Sequence, residues 1–246
     1  MTTMLKKAAR IYRKDGPIAL AKRGIWFGYQ SGIRSLLPKR IVSYNNVLVR
    51  ASRLGDSVIP WHTRDIPGYE SALVEGIQQF VQPDDTVVVV GGGWGVSTVI
   101  AARQSGSEGQ VITFEGGAEA VTKVKDTVQL NNVSDRVSIR YAIVARAISI
   151  RGDSDDAQVV SPTDLPDCDV LVLDCEGAEM NILKEMEIRP RAVLVETHGL
   201  FDAPKSNVRD KLNCAGYETI ESRVAEERSR EFCEENDIYV LYSRRC

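Results

Sequence analysis

The chain has 246 residues, 43% of them hydrophobic and 26% charged, with a formal net charge of −3; this is the composition of one sizeable folded domain with an appendage. The apolar centre, Thr86 to Ala102, is glycine-rich and shorter than the ~20 apolar residues of a membrane-spanning helix, and the basic N-terminus lacks the unbroken apolar stretch of a secretory signal. Five scattered cysteines without a C-x-x-C pair exclude a zinc ribbon and a disulfide framework and point to a reducing, cytoplasmic setting.

Charge is unevenly spread. Residues 1–40 carry ten Lys/Arg against the single acid Asp15, so the remainder is strongly acidic. Residues 4–14 read as an amphipathic helix with Leu5, Ala8, Ala9 and Tyr12 on one face, stopped by Asp15-Gly16-Pro17. A second helical stretch runs from Ile18 to about Tyr29. Such a basic pair either rests on an anionic membrane surface or packs its apolar stripe on the main domain with its charges in solvent. The second is favoured, because a charge run is most often a solvated face; peripheral membrane contact through residues 1–40 is kept as the alternative. The acidic remainder argues against nucleic acid as a partner. Residues 1–66 are accordingly expected to form a basic helical extension, and 67–246 the main domain.

From Tyr69 a regular alternation begins. Tyr69–Phe80 reads as a helix, Thr86–Val90 as a central strand with its β-branched run, Gly91–Gly95 as a loop, and Val96–Arg103 as a helix. A strand Gln110–Phe114, a helix Ala118–Leu130 and a strand Val137–Ile143 follow, then strand Val170–Leu173, helix Glu179–Met186 and strand Ala192–Val195. Val208–Cys214 is helical, and Tyr217–Ile220 and Ile238–Tyr242 are the last strands, flanking a charged segment, Glu221–Asn236, expected to project as a loop or hairpin arm. Strands alternating with helices imply a mostly parallel, doubly wound, Rossmann-like α/β sheet. Ligands of such sheets bind outside the carboxyl ends of the strands.

The residues at those ends are informative. Gly91, Gly93 and Gly95 follow the first strand with the spacing G-x-G-x-G. The dinucleotide fingerprint needs a further glycine where Val96 or Thr98 stands, so the dehydrogenase spacing fails. Glycines here still let backbone N–H groups approach a ligand closely. Glu115 ends the second strand, where a carboxylate can accept both ribose hydroxyls of an adenosine. The fourth strand ends in Asp174-Cys175-Glu176-Gly177-Ala178-Glu179 and the fifth in Glu196-Thr197-His198.

These stretches together resemble the FkbM family of S-adenosylmethionine-dependent methyltransferases, which has a D-x-E-G-x-E signature after strand four and an E-x-H-like end to strand five. The resemblance covers roughly Tyr69 to Tyr242. It implies a seven-stranded Rossmann-like methyltransferase fold, S-adenosylmethionine as cofactor, and methyl transfer to a hydroxyl, or a carboxyl, of a sugar, glycan or small metabolite. Gly91, Gly93, Gly95, Glu115 and Asp174 are then the cofactor contacts. One departure stands out: the family places an acid two residues before the first glycine, and here that residue is Val89. Asp174 or Glu70 are the acids that could compensate.

Methyl transfer from a sulfonium needs chiefly alignment, and a hydroxyl acceptor gains from a general base. His198 is the first candidate base and Asp174 the second. Glu176, Glu179 and Glu196 are expected to contact the acceptor or to support the residues that do. With Asp174 and His198 they form a set that could bind Mg²⁺, but capping of the following helix by Glu176 and Glu179 with substrate contact is favoured, and no metal is expected. Trp61-His62 is a candidate lid. The competing readings are a member of the fold that has lost catalysis, for which Val89 speaks, and a nicotinamide-dependent oxidoreductase, against which the glycine spacing speaks.

Overall fold

The computed structural model describes residues 39–53, 68–145 and 156–246, together with Gly32, Leu36 and Leu37; Lys39 and residues 51–53 are described by backbone alone. The two basic helices expected at 4–14 and 18–29, and the Trp61-His62 lid, lie outside the described residues. Further along the expected extension, beyond those helices, the structure shows two strands. β1 (Lys39–Tyr44) and β2 (Val47–Arg53) form a hairpin. Its tip, Asn45-Asn46, has positive φ at both positions (48° and 61°), the backbone of a two-residue turn that asparagine tolerates well.

The main unit is one sheet with helices on both faces. In chain order it comprises α1 (Ser71–Phe80), β3 (Thr86–Val90), α2 (Val96–Gln104), β4 (Gln110–Glu115), α3 (Ala118–Leu130), β5 (Val137–Val144), β6 (Gln158–Val160), β7 (Val170–Leu173), α4 (Glu179–Glu185), β8 (Ala192–Glu196), α5 (Lys205–Cys214), β9 (Tyr217–Val224), α6 (Arg230–Glu235) and β10 (Tyr239–Arg245). The strand order is β6-β5-β4-β3-β7-β8-β10-β9. β10 runs antiparallel to both of its neighbours, and the strands from β6 to β8 are parallel. The seven expected strands are joined by the three-residue edge strand β6, too short to show a period.

The central strands are buried on both faces, which is why they read as unbroken Val/Leu runs rather than alternations. On one face Val88, Val90, Leu171, Leu173, Val193 and Val195 pack with Ile182 and Leu183 of α4 and Val208 and Leu212 of α5. On the other, α1 contributes six buried residues. A Cβ on Gly76 of α1 would lie 2.7 Å from Cε1 of Tyr242, so glycine there lets helix and strand approach. Arg191, at the start of β8, donates to both carboxylate oxygens of buried Asp85 (2.8 and 3.2 Å) and to the carbonyl of Phe80 (3.0 Å), tying β8 to the α1–β3 turn.

The segment between the last two strands is more ordered than the expected arm. β9 continues to Val224, and the charged stretch then folds into a 3₁₀ turn (Glu227–Ser229) and α6. Acidic and basic side chains on an edge strand face solvent, as Glu221 and Arg223 do in their mutual ion pair at 2.6 Å, so their charge hid the strand.

Candidate functional site

The glycine loop carries β3 into α2 over positive φ at Gly91, Gly93 and Gly95 (96°, 51° and 81°). A Cβ on Gly91 would fall 1.7 Å from the carbonyl oxygen of Asp174, so only glycine permits the ends of β3 and β7 to close to this distance. A Cβ on Gly93 would meet nothing within 4 Å: this glycine faces open space. Glu115 is held where expected, at the end of β4, by backbone donors. Its Oε2 accepts from the N–H groups of Gly92 and Gly93 (both 2.9 Å) and its Oε1 from that of Gly117 (2.8 Å). A carboxylate offers about four lone-pair directions, so three protein donors leave one for a ligand.

Asp174 and Glu196 end adjacent parallel strands in register, since Leu173 pairs with Val195. Two residues along the same strand direction, His198 projects to the same side as Glu196. Thr197 between them points the other way, where its hydroxyl donates to the Asp237 carbonyl (2.8 Å) and accepts from the Tyr239 N–H (3.0 Å). His198 is thereby anchored: its N–H also donates to the Ala203 carbonyl (2.9 Å). Its Nδ1 lies 2.9 Å from Oε1 of Glu179, and its Nε2 lies 3.5 Å from Oδ1 of Asp174 and 3.7 Å from Oε1 of Glu196. One ligand atom each from Asp174, Glu196 and His198 lie within 4.8 Å of one another, a set able to hold a metal.

Glu179 stands behind the cleft rather than in its wall. It is fully buried, and its carboxylate accepts from the N–H groups of Cys175 (3.1 Å) and Gly177 (2.7 Å) as well as facing Nδ1. It caps the loop before α4 and steadies the histidine. Glu176, with φ 48°, does line the cleft.

Sequence reasoning touched Glu70 only as a compensating acid and missed how it is presented. It precedes α1 in a left-handed conformation (φ 46°, ψ 38°), a strained backbone for a non-glycine residue. Its Oε2 accepts from the Ser97 hydroxyl in the first turn of α2 at 2.9 Å, which brings the carboxylate beside the glycine loop. Burial, then the charge of Asp174, pushes its pKa up to about 7. Burial and the charges of Asp174 and Glu70 likewise hold Glu196 well above the usual carboxylate range. For His198 burial pulls downward, but the Glu179 hydrogen bond and the surrounding carboxylates outweigh it and raise the imidazole's pKa.

Glu70, Gly91, Gly93, Glu115, Asp174, Glu176, Glu196 and His198 line one cleft of about 460 Å³ at the carboxyl edge of the sheet, within the range of small-molecule sites; Gly95, expected among the cofactor contacts, instead faces Val124 and Thr127 of α3, 3.2 Å from where its Cβ would stand. Val90, Phe114 and Val144 form part of its wall. The far side is built by the segment after β9: Ala225, Ser229, Phe232, Cys233 and Ile238. Phe232 is 56% exposed and gives this side an apolar rim. Its place between two strands was the sole sign of these residues in the sequence.

No family model matches the chain. A ribosomal protein L11 methyltransferase of Bacillus pumilus (strain SAFR-032) is 24% identical over 148 residues, covering 60% of this chain and 42% of the relative; the chain thus spans less than half of that relative's length. Among solved structures, the ribosomal protein L11 methylase of Lactobacillus delbrueckii subsp. bulgaricus is 15% identical, with a TM-score of 0.50 over 78% of this chain and 90% of that one. The precorrin-6y C5,15-methyltransferase of Geobacter metallireducens GS-15 is 12% identical, with a TM-score of 0.51 over 72% and 88%. The chain therefore has the Rossmann-like fold seen in these methyltransferases.

Proposed function

We propose that the chain is an S-adenosylmethionine-dependent methyltransferase that methylates an oxygen of a sugar, glycan or other small molecule, in the manner of the FkbM family its motifs resemble. The observation that carries the reading is β10, antiparallel between β8 and β9. Dinucleotide-binding sheets of this class run parallel in the order 3-2-1-4-5-6, and the glycine spacing departs from their fingerprint as well. The cleft residues fit the cofactor. Glu115 has acceptor capacity left for a ribose hydroxyl, and Gly93 leaves room for the amino-acid end. Glu70 supplies the anion for the ammonium group that Val89, an entirely buried apolar side chain, does not.

S-Adenosylmethionine supplies a methyl group already activated on sulfonium. The protein's part is to orient donor and acceptor and to exclude water. The acceptor enters past Phe232 and meets Asp174, Glu196 and His198, which orient its oxygen. No helix among the described residues is long and apolar enough to cross a membrane.

Calorimetric titration with S-adenosylmethionine, S-adenosylhomocysteine and NAD tests the reading. Micromolar binding of the two S-adenosyl compounds, with NAD inert, is expected. Binding of NAD alone, or of none of the three, overturns it.

A further inference from the structure

Three lone-pair donors meet at one point beside the cleft. Nε2 of His198 lies 3.5 Å from Asp174 Oδ1 and 3.7 Å from Glu196 Oε1, and the three atoms stay within 4.8 Å of one another. Two of them come from adjacent strand ends and the third from the loop that continues β8, so the sheet itself fixes the spacing.

The histidine is the independent observation. Its side chain is 9% exposed, Nδ1 meets Glu179 at 2.9 Å, and Nε2 faces the oxygens of Asp174 and Glu196. Glu179 already accepts two backbone N–H bonds, so it is an acceptor toward Nδ1 also. Nδ1 then carries the ring proton of the neutral imidazole, and the Nε2 lone pair is turned toward two carboxylate oxygens. Either a proton or a cation held among the three atoms lets them converge in this way. A carboxylate on the remote nitrogen is also the usual support of a metal-binding histidine.

We infer that Asp174, Glu196 and His198 form a three-residue site for a divalent cation of the Mg²⁺ or Mn²⁺ class, open on its cleft side to two oxygens of the methyl acceptor. A hard ion about 2.1 Å from each donor sets adjacent ligands roughly 3 Å apart, close to the observed 3.5 and 3.7 Å. The two carboxylate donors suit Mg²⁺ or Mn²⁺. His198 is then a ligand rather than the base expected from the sequence, and the ion orients the acceptor and lowers the pKa of its hydroxyl. A chelating acceptor carries two neighbouring oxygens: a vicinal diol, as on a sugar, or a hydroxy acid. The acceptor class rests on the methyltransferase reading; the cation site does not.

The test is Mn²⁺ titration of the full chain, stripped with a chelator, followed by electron paramagnetic resonance, with S-adenosylhomocysteine calorimetry on the same samples. One Mn²⁺ per chain is expected, with nitrogen modulation in the spin echo from a coordinated imidazole. Glu196→Gln should weaken Mn²⁺ about tenfold or more and keep the nitrogen signal, and His198→Ala should lose that signal. S-Adenosylhomocysteine affinity should change less than threefold in Glu196→Gln, which also reports that this variant is folded. Absence of Mn²⁺ binding at millimolar metal, the mark of a proton filling the gap instead, overturns the proposal. So does wild-type affinity in both variants. Failure of S-adenosylhomocysteine to bind any sample removes the methyltransferase reading while the Mn²⁺ result still decides the site.

Discussion

Glu179 and His198, nineteen residues apart, meet at 2.9 Å in the interior, and the same carboxylate closes the loop of Cys175 and Gly177. One fully buried acid therefore shapes the end of β7 and aims the imidazole. Truncation leaves two backbone N–H groups and a ring nitrogen without an acceptor, each at a cost of ~1–3 kcal/mol. Glu179→Ala is expected to lose about 3–5 kcal/mol of stability, read as a lower midpoint in urea unfolding. Glu179→Gln keeps an acceptor oxygen and should lose about half as much. Equal stability of Glu179→Ala and wild type would show that the contact carries no weight.

Glu115 answers to two demands. It holds the glycine loop through the N–H groups of Gly92 and Gly93 and is proposed to receive the ribose. Glu115→Ala should weaken S-adenosylhomocysteine about 10- to 100-fold, the loss of one or two charge-assisted hydrogen bonds. Glu115→Gln should fall between, since its amide retains one acceptor oxygen. Calorimetry with unchanged affinity in Glu115→Ala would move the nucleoside elsewhere in the cleft.

Much of this site was legible because its residues sit at strand ends, and the strands announce themselves. Val87–Val90, Val170–Leu173 and Ala192–Val195 are apolar runs too short for helices, and each is followed directly by a residue of the cleft: Gly91, Asp174 and Glu196. What escaped was non-local or locally disguised. The contact of Glu179 with His198 depends on β7 and β8 being neighbours, which spacing alone does not state. The hairpin at Asn45-Asn46 was hidden in a region read for its charge. α6, which brings Phe232 and Cys233 to the cleft, is six residues long and mostly charged, so its amphipathic pattern spans less than two turns. Glu70 was read as part of a helix, whereas its left-handed backbone turns it into the cleft, and a single positive φ at a glutamate leaves no mark in composition.

The hairpin tip adds a prediction about the N-terminus. Asn46 accepts from Arg103 (2.9 Å), and Leu48 exchanges both its backbone groups with Asn131 (3.0 and 2.8 Å). Residues 42–50 thus belong to the main unit. Deletion of residues 1–40 is expected to leave S-adenosylhomocysteine affinity, read by calorimetry, within about twofold of the full chain. Loss of cofactor binding on deletion would make the segment part of the domain.

Glu70 couples stability to function through pH. Its pKa in the folded chain is raised from 4.5 to about 7, first by burial and then by Asp174. Between these values the folded protein holds a proton that the unfolded chain has released. Stability therefore falls as pH rises through this window and levels off above about 7. Glu196, raised for the same reasons, adds a slope of the same sign, so Glu70→Gln should flatten the fall without removing it. That variant should be the more stable of the two at pH 8, because it carries no charge in the cleft. The cofactor reverses the preference. An ammonium group binds the ionised carboxylate, so wild-type affinity for S-adenosylhomocysteine should climb as pH rises through about 7, and that of Glu70→Gln should stay low and flat. 5′-Methylthioadenosine, which lacks the amino-acid end, should bind both proteins alike. Thermal melts and calorimetry from pH 5 to 8 measure both halves. A parallel rise in the two proteins would assign the ammonium to another acid, Asp174 first, and leave Glu70 a strained residue whose burial has no ligand to explain it.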